Sequence, residues 1–251
     1  MTELKLRAIL KGLVVSTLAL ALSSCSSGSN STTSNSSSNL SSFSGSYVFS
    51  VTGTDPTDGD YSDLGRFVAD GKGGIVQGVA DYNLGSGIDS SVPLTGTYTV
   101  ASGVASIHLT DGNKVFDNFS TTISTTGSSA ISDFDASGSG TLYTQDTTGF
   151  SPVGAYSYTL KGEGQGTITG SGNLVTGTGF TFTGGTMSYM DGATLQNYSV
   201  VSGFLRPPQP NGRGQGAIVG NNLAYYVVGP KQILAIGLDE HSLLLITAAK
   251  A

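Results

Sequence analysis

The chain reads as all-β, two antiparallel modules in tandem, each an up-and-down barrel or a barrel-like sandwich. Three observations carry this. Of the 251 residues 37 are Gly, none is Trp and only 11% are charged, which together with many Thr, Ser, Val and Tyr favours turns and strands over helices. No segment beyond Cys25 has the periodicity of an amphipathic helix. Short alternating runs are joined by tight turns such as Asp70-Gly71 and Asp111-Gly112-Asn113, too short for the crossover that parallel strands need.

The first module, residues 45–147, divides into eight strands. These are Tyr47 to Gly53, Asp63 to Ala69, Ile75 to Asn83, Val92 to Ala101, Val104 to Thr110, Val115 to Thr125, Ala130 to Phe134 and Gly140 to Thr144. Alternation puts Tyr47, Phe49 and Val51 on one face. The second module, residues 148–251, opens in the same way, with Tyr156, Tyr158 and Leu160 in the corresponding places. Farther on, Gly65, Phe67, Asp70-Gly71 and Ile75 are echoed by Gly166, Ile168, Ser171-Gly172 and Leu174, which predicts a strand, a glycine turn and a return strand. Ile123, Phe134-Asp135 and Leu142 then line up with Val227, Leu238-Asp239 and Ile246. Three anchors in one order indicate an internal duplication with a period of roughly a hundred residues. A junction at 147–153, with Gly149 and Pro152, is too short to let the copies move freely. One larger barrel built from both copies is the alternative, and a porin-like barrel is disfavoured by the short strands.

At the N-terminus Lys5, Arg7 and Lys11 flank and lead into an apolar run from Gly12 to Ala21, closed by Leu22-Ser23-Ser24-Cys25. The run is shorter than the about 20 residues a spanning helix needs. This N-terminus resembles a bacterial lipoprotein signal. The resemblance implies cleavage after residue 24 and acylation of Cys25, the one cysteine of the chain, as a membrane anchor. Residues 25–44, rich in Ser, Thr and Asn with Leu40 and Phe43 their only sizeable apolar side chains, are expected to be a flexible tether. The lipobox, the tether and repeats opening with G-x-Y-x-F together resemble tandem all-β lipoproteins of soil bacteria such as acidobacteria. That implies a lipid-anchored cell-envelope location and supplies no active site. Ser26 in place of an aspartate points to the outer membrane where a cell has two.

The net charge is −6 at pH 7 and becomes more negative once the basic signal is removed. Phosphate recognition needs clustered Lys and Arg, so nucleic acid is not an expected partner. Acids are concentrated in residues 45–147, twelve against three bases, while the remainder is close to balanced.

Catalytic signatures are absent from the sequence: it has no G-x-S-x-G elbow and no H-E-x-x-H pair. His108 alternates with Ile107 and Leu109 and reads as a solvated strand residue, and His241 falls in a hairpin turn. A non-enzymatic chain without a cofactor is therefore expected, with a structural role or one in binding an envelope glycan or protein. A lipocalin-like carrier of small hydrophobic ligands is the first alternative, and a hydrolase of envelope polymers the second. Asp55, Asp58, Asp60 and Asp63 around Gly59 form a candidate Ca²⁺ loop, although not at EF-hand spacing. Arg206, Pro207, Pro208 and Arg213 read as an exposed docking loop stiffened by proline. Tyr189, Tyr198 and the pair Tyr225-Tyr226 are candidates for stacking on sugars, with at most one of that pair in the core if one sheet face is solvated.

Overall fold

The computed structural model describes residues 39–56, 59–84, 87–112, 114–124, 126–133, 137–163, 166–239 and 243–251. The signal, Cys25, Asp58, Asn113, Phe134-Asp135 and His241 lie outside the described residues. Among those described, regular structure is β except for one 3₁₀ turn at Leu40–Ser42.

Eight strands form the first module: β1 (Ser44–Asp55), β2 (Gly59–Asp70), β3 (Gly74–Leu84), β4 (Gly87–Ala101), β5 (Val104–Asp111), β6 (Lys114–Thr122), β7 (Ser128–Asp133) and β8 (Ser137–Thr144). Each pairs antiparallel with the next, and β8 returns to β1, so the barrel closes and has no free edge. Alternation selects the lining, with Tyr47, Phe49 and Val51 in the core beside Phe67, Ile107 and Phe119. Phe49 stands directly across from Gly65, and a Cβ at that glycine would lie 2.5 Å from its ring, so the missing side chain makes room for the aromatic.

One end of the barrel is plugged. Phe43 stacks on Tyr47 at 4.5 Å and meets Tyr98 edge-on at 5.1 Å, while the Tyr98 hydroxyl donates to the Leu40 carbonyl at 3.1 Å. The last residues of the expected tether, 39–44, therefore belong to the fold. Leu40 and Phe43 find an apolar barrel mouth to cover, which composition alone does not reveal.

The second module has nine strands: β9 (Gly154–Glu163), β10 (Thr167–Thr176), β11 (Phe182–Asp191), β12 (Thr194–Tyr198), β13 (Gly203–Leu205), β14 (Arg213–Ile218), β15 (Asn221–Gly229), β16 (Gln232–Gly237) and β17 (Leu243–Lys250). Its sheet curls in the order β12-β11-β10-β9-β17-β16-β15-β14-β13 and does not close. Strand for strand it follows the first module, except that the counterpart of β4 is broken into β12 and β13. The two pieces sit on opposite sheet edges. A single bridge, Thr181 to Phe204, and a bond from the Leu205 amide to the Phe180 carbonyl tack the edges together. Val201, 1% exposed, fills the core at the break, and Pro207 and Pro208 follow β13 where further pairing would need amide donors.

The core of this module contains Tyr156, Tyr158 and Leu160, as the opening motif predicts. The expected turn at Ser171-Gly172 is corrected, because both residues lie inside β10. Gly172 is the counterpart of Gly65: it pairs with Tyr158, and a Cβ there would lie 2.6 Å from that tyrosine's hydroxyl. The glycine marks a ring's resting place rather than a change of direction.

Candidate functional site

The two modules pack outer wall against outer wall, and not symmetrically. The first contributes β1, β2 and β3 through Val48, Leu64 and half-buried Val79, and the second contributes Ala224, Tyr226 and Val228 of β15, Leu234 and Ile236 of β16, and Leu245 of β17. Within this apolar seam Arg213 Nε and Nη2 reach the two carboxylate oxygens of Asp81 at 2.8 and 2.6 Å. The Tyr226 hydroxyl donates to Asp81 Oδ2 at 2.6 Å, and the Ser90 hydroxyl and Ser91 amide donate to Oδ1 at 2.8 and 2.9 Å. Burial alone would raise the Asp81 pKa, but the hydrogen bonds and charge of Arg213, with bonds from Tyr226 and Ser90, outweigh it and hold the carboxyl below its ordinary value. The Tyr226 phenol is pushed well up, first by burial and then by the Asp81 charge. Asn83 Nδ2 adds a bond across the seam to the Gly237 carbonyl at 2.9 Å, and Gln145 Nε2 one to the Val227 carbonyl at 2.9 Å.

The same face of the second module is open. Register makes Ser157, Ser171, Asn173, Thr186 and Ser188 the counterparts of Val48, Leu64, Arg66, Val79 and Asp81: Val48 pairs with Arg66 as Ser157 does with Asn173, and Leu64 with Asp81 as Ser171 does with Ser188. All five are exposed. With Asn197 they line a concavity of about 600 Å³ that carries no charged side chain. Strand spacing sets neighbouring side chains about 4.8 Å apart across the sheet and about 7 Å along it, a lattice of hydroxyl and amide groups that both donate and accept. The interior of this module, by contrast, retains about 20 Å³ of space, room for about one water.

The residues singled out from sequence are distributed differently from expectation. Asp60 is exposed and accepts from the Thr54 hydroxyl at 2.7 Å, whereas Asp63, three positions on, is buried on the inner wall of the barrel. Asp55 is half-buried at the end of β1. Asp60 and Asp63 thus point to opposite faces of β2 and cannot share an ion. No group of three or more His, Cys, Asp or Glu among the described residues is placed to hold a metal. Asp63 instead joins an inner cluster with two phenol–carboxylate pairs, Tyr61 to Asp133 at 2.7 Å and Tyr82 to Asp117 at 3.1 Å. Burial, followed by those carboxylates, raises both phenols, so they remain proton donors at every ordinary pH. The sequence reading missed this cluster, although Tyr61, Asp63, Gly65 and Phe67 alternate in a way that could have placed Asp63 inward.

The docking-loop expectation is corrected at Arg213, which is 2% exposed and held by Asp81. Arg206 and Pro207 are exposed, Pro208 is half-buried, and the Arg206 guanidinium lies 5.2 Å from the Phe204 ring centre. Tyr225 and Tyr226 are both fully buried, since the first module covers the face that was expected to meet water. Tyr189 and Tyr198 are half-buried and stacked at 6.3 Å. His108 is exposed and bonded to Asn118, with Ile107 and Leu109 buried on the other face.

No protein-family model matches the chain, and no curated protein does. Several solved structures are similar to it. Kievitone hydratase from Nectria haematococca matches over 87% of this chain and 95% of its own at 10% identity, with a TM-score of 0.25. A protein described as AttH from Nitrosomonas europaea matches over 81% of this chain and 92% of its own at 6% identity and a TM-score of 0.28. CghA, solved with Sch210972, matches over 82% and 87% at 9% identity and a TM-score of 0.30. These likenesses are too loose to carry an activity across. With a hydratase among the similar structures, however, the expectation of a non-enzymatic chain is withdrawn.

Proposed function

We propose that the chain is a lipid-anchored cell-envelope protein, acylated at Cys25, whose second module binds a neutral glycan in the groove on the outer face of β9–β12. The observation that carries this reading is the outer-face lining of the 600 Å³ concavity: serine, threonine and asparagine side chains, and no charge. A groove of this size is within the range that seats small ligands. A ligand matched to it presents many hydroxyls, has no charge to neutralise, and is wetted rather than buried. The filled interior of the second module favours this outer surface over a pocket inside it.

The test uses the Cys25→Ser chain, expected to move from the membrane to the soluble fraction, passed over insoluble neutral polysaccharides with charged ones as controls. Retention on a neutral polymer, lowered at least tenfold by Ser188→Arg together with Asn173→Arg, supports the reading. If neutral polymers do not retain the chain, or if the double variant is retained equally, the groove is not a glycan site.

A further inference from the structure

The seam between the modules contains two buried cations and one buried anion among the described residues: Arg66, Arg213 and Asp81. Asp81 is fully occupied. Its oxygens accept from Arg213 twice, from Tyr226, from Ser90 and from the Ser91 amide. Arg66 has no carboxylate among the described residues. It is 4% exposed on the outer wall of β2, between Val48 of β1 and Val79 of β3, under the strands of the second module. Among the described residues its Nε and Nη1 have no hydrogen-bond partner, and Nη2 makes one long bond, 3.4 Å, to the Ser46 hydroxyl. Burial pulls its pKa down, and of the neighbouring groups the Tyr226 phenol acts against that. An arginine stays protonated even so, and a charge out of water needs a counter-charge and hydrogen bonds.

We infer that a small monovalent anion, chloride or one of similar size such as nitrate or formate, binds the Arg66 guanidinium in this seam and supplies the missing charge. The ligand is small because the site is almost closed to solvent. It is monovalent because one positive charge is left over. Ser46 and the two free guanidinium nitrogens are the groups that would hold it, and its effect is to fasten the modules together.

The experiment follows the melting temperature of the full-length chain, in detergent, as chloride replaces gluconate at constant ionic strength. Wild type is expected to show a saturable rise of about 3–5 °C by ten times the dissociation constant. Arg66→Met is expected to melt at one temperature throughout, and in gluconate to be at least as stable as wild type. A wild type indifferent to chloride, nitrate and formate overturns the inference, as does an equal rise in the variant. Should Arg66→Met fail to fold, chlorine NMR on wild type decides: saturable line broadening that nitrate reverses supports the site, and its absence overturns it.

Discussion

Arg66 and Asn173 hold the same place on the second strands of their modules, and their surroundings show one wall put to two uses. In the first copy the wall of Val48, Leu64 and Val79 is apolar and covered by the second copy. In the second copy the wall of Ser157, Ser171 and Thr186 is hydroxylated and open. The contact is heterologous, front wall to rear wall, and a heterologous contact whose faces both repeat has no reason to stop at two. The hydroxyls of the second front wall end the series, much as polar caps end a repeat array. The rear wall of the first copy is blunt as well, with Ala130 and Ser132 exposed on β7. A terminal wall freed from packing is then available for a ligand.

The largest expected effect comes from breaking the covered wall at its charge centre. Asp81→Ala leaves Arg213 buried without its partner, and removing one member of a buried pair costs about 3–5 kcal/mol. Urea unfolding should show that loss, and the transition should separate into two as the modules uncouple. A single transition with unchanged midpoint would mean that the Asp81–Arg213 pair does not hold the seam together. The pH dependence has a definite sign. The Asp81 pKa is held below its unfolded value, so its contribution is complete above the ordinary aspartate range, near pH 4, and is lost as pH falls through the lower folded value. In Asp81→Ala that part of the acid sensitivity disappears.

A middle-sized effect tests where the two copies agree. Gly65→Ala sets a methyl against Phe49, and Gly172→Ala sets one against Tyr158 and 2.1 Å from the Thr186 carbonyl. Each overpacked site should cost about 1–3 kcal/mol by denaturant titration. If the glycines exist to seat the rings, Phe49→Leu and Tyr158→Leu recover part of the loss in their own module and none in the other. Additive losses in both cycles would separate glycine from ring.

These features differ in how far the sequence discloses them. The pattern Tyr47, Phe49, Val51 and its repeat at Tyr156, Tyr158, Leu160 placed both inner walls correctly, because alternation is a local property of a strand. Ser171-Gly172 misled for an equally physical reason: the same dipeptide suits a turn and the empty space beneath an aromatic, and the tyrosine that decides between them is on another strand. Arg213 looked like part of an exposed proline loop because its partner is 132 residues away. The apolar run Leu223 to Val228 does hint that both faces of β15 are covered, as it proves to be, yet it does not say by what. The groove was illegible in outline, since serine and threonine in alternation describe any wetted strand and nothing local to them marks a concavity.

The smallest effect on stability is the sharpest test of the comparison. Writing the first wall onto the second, by Ser157→Val, Ser171→Leu and Thr186→Val, changes exposed positions, and each should alter the folding free energy by no more than about 0.5 kcal/mol. What changes is association. The new apolar front wall has no partner within its own chain, because the rear wall of β15–β17 is already engaged. It can be covered only by exchange, when the rear wall of another chain leaves its own front wall, or by loose apolar contact. Light scattering should therefore detect concentration-dependent species above monomer, accompanied by loss of neutral-glycan retention. Restoring a charge with Ser188→Asp, which copies Asp81 without supplying an arginine, should suppress that association, since an unpaired carboxylate resists burial. A triple variant that remains monomeric would show that apolar character on the first wall does not select the seam, and would leave Asp81, Arg213 and Tyr226 as its determinants.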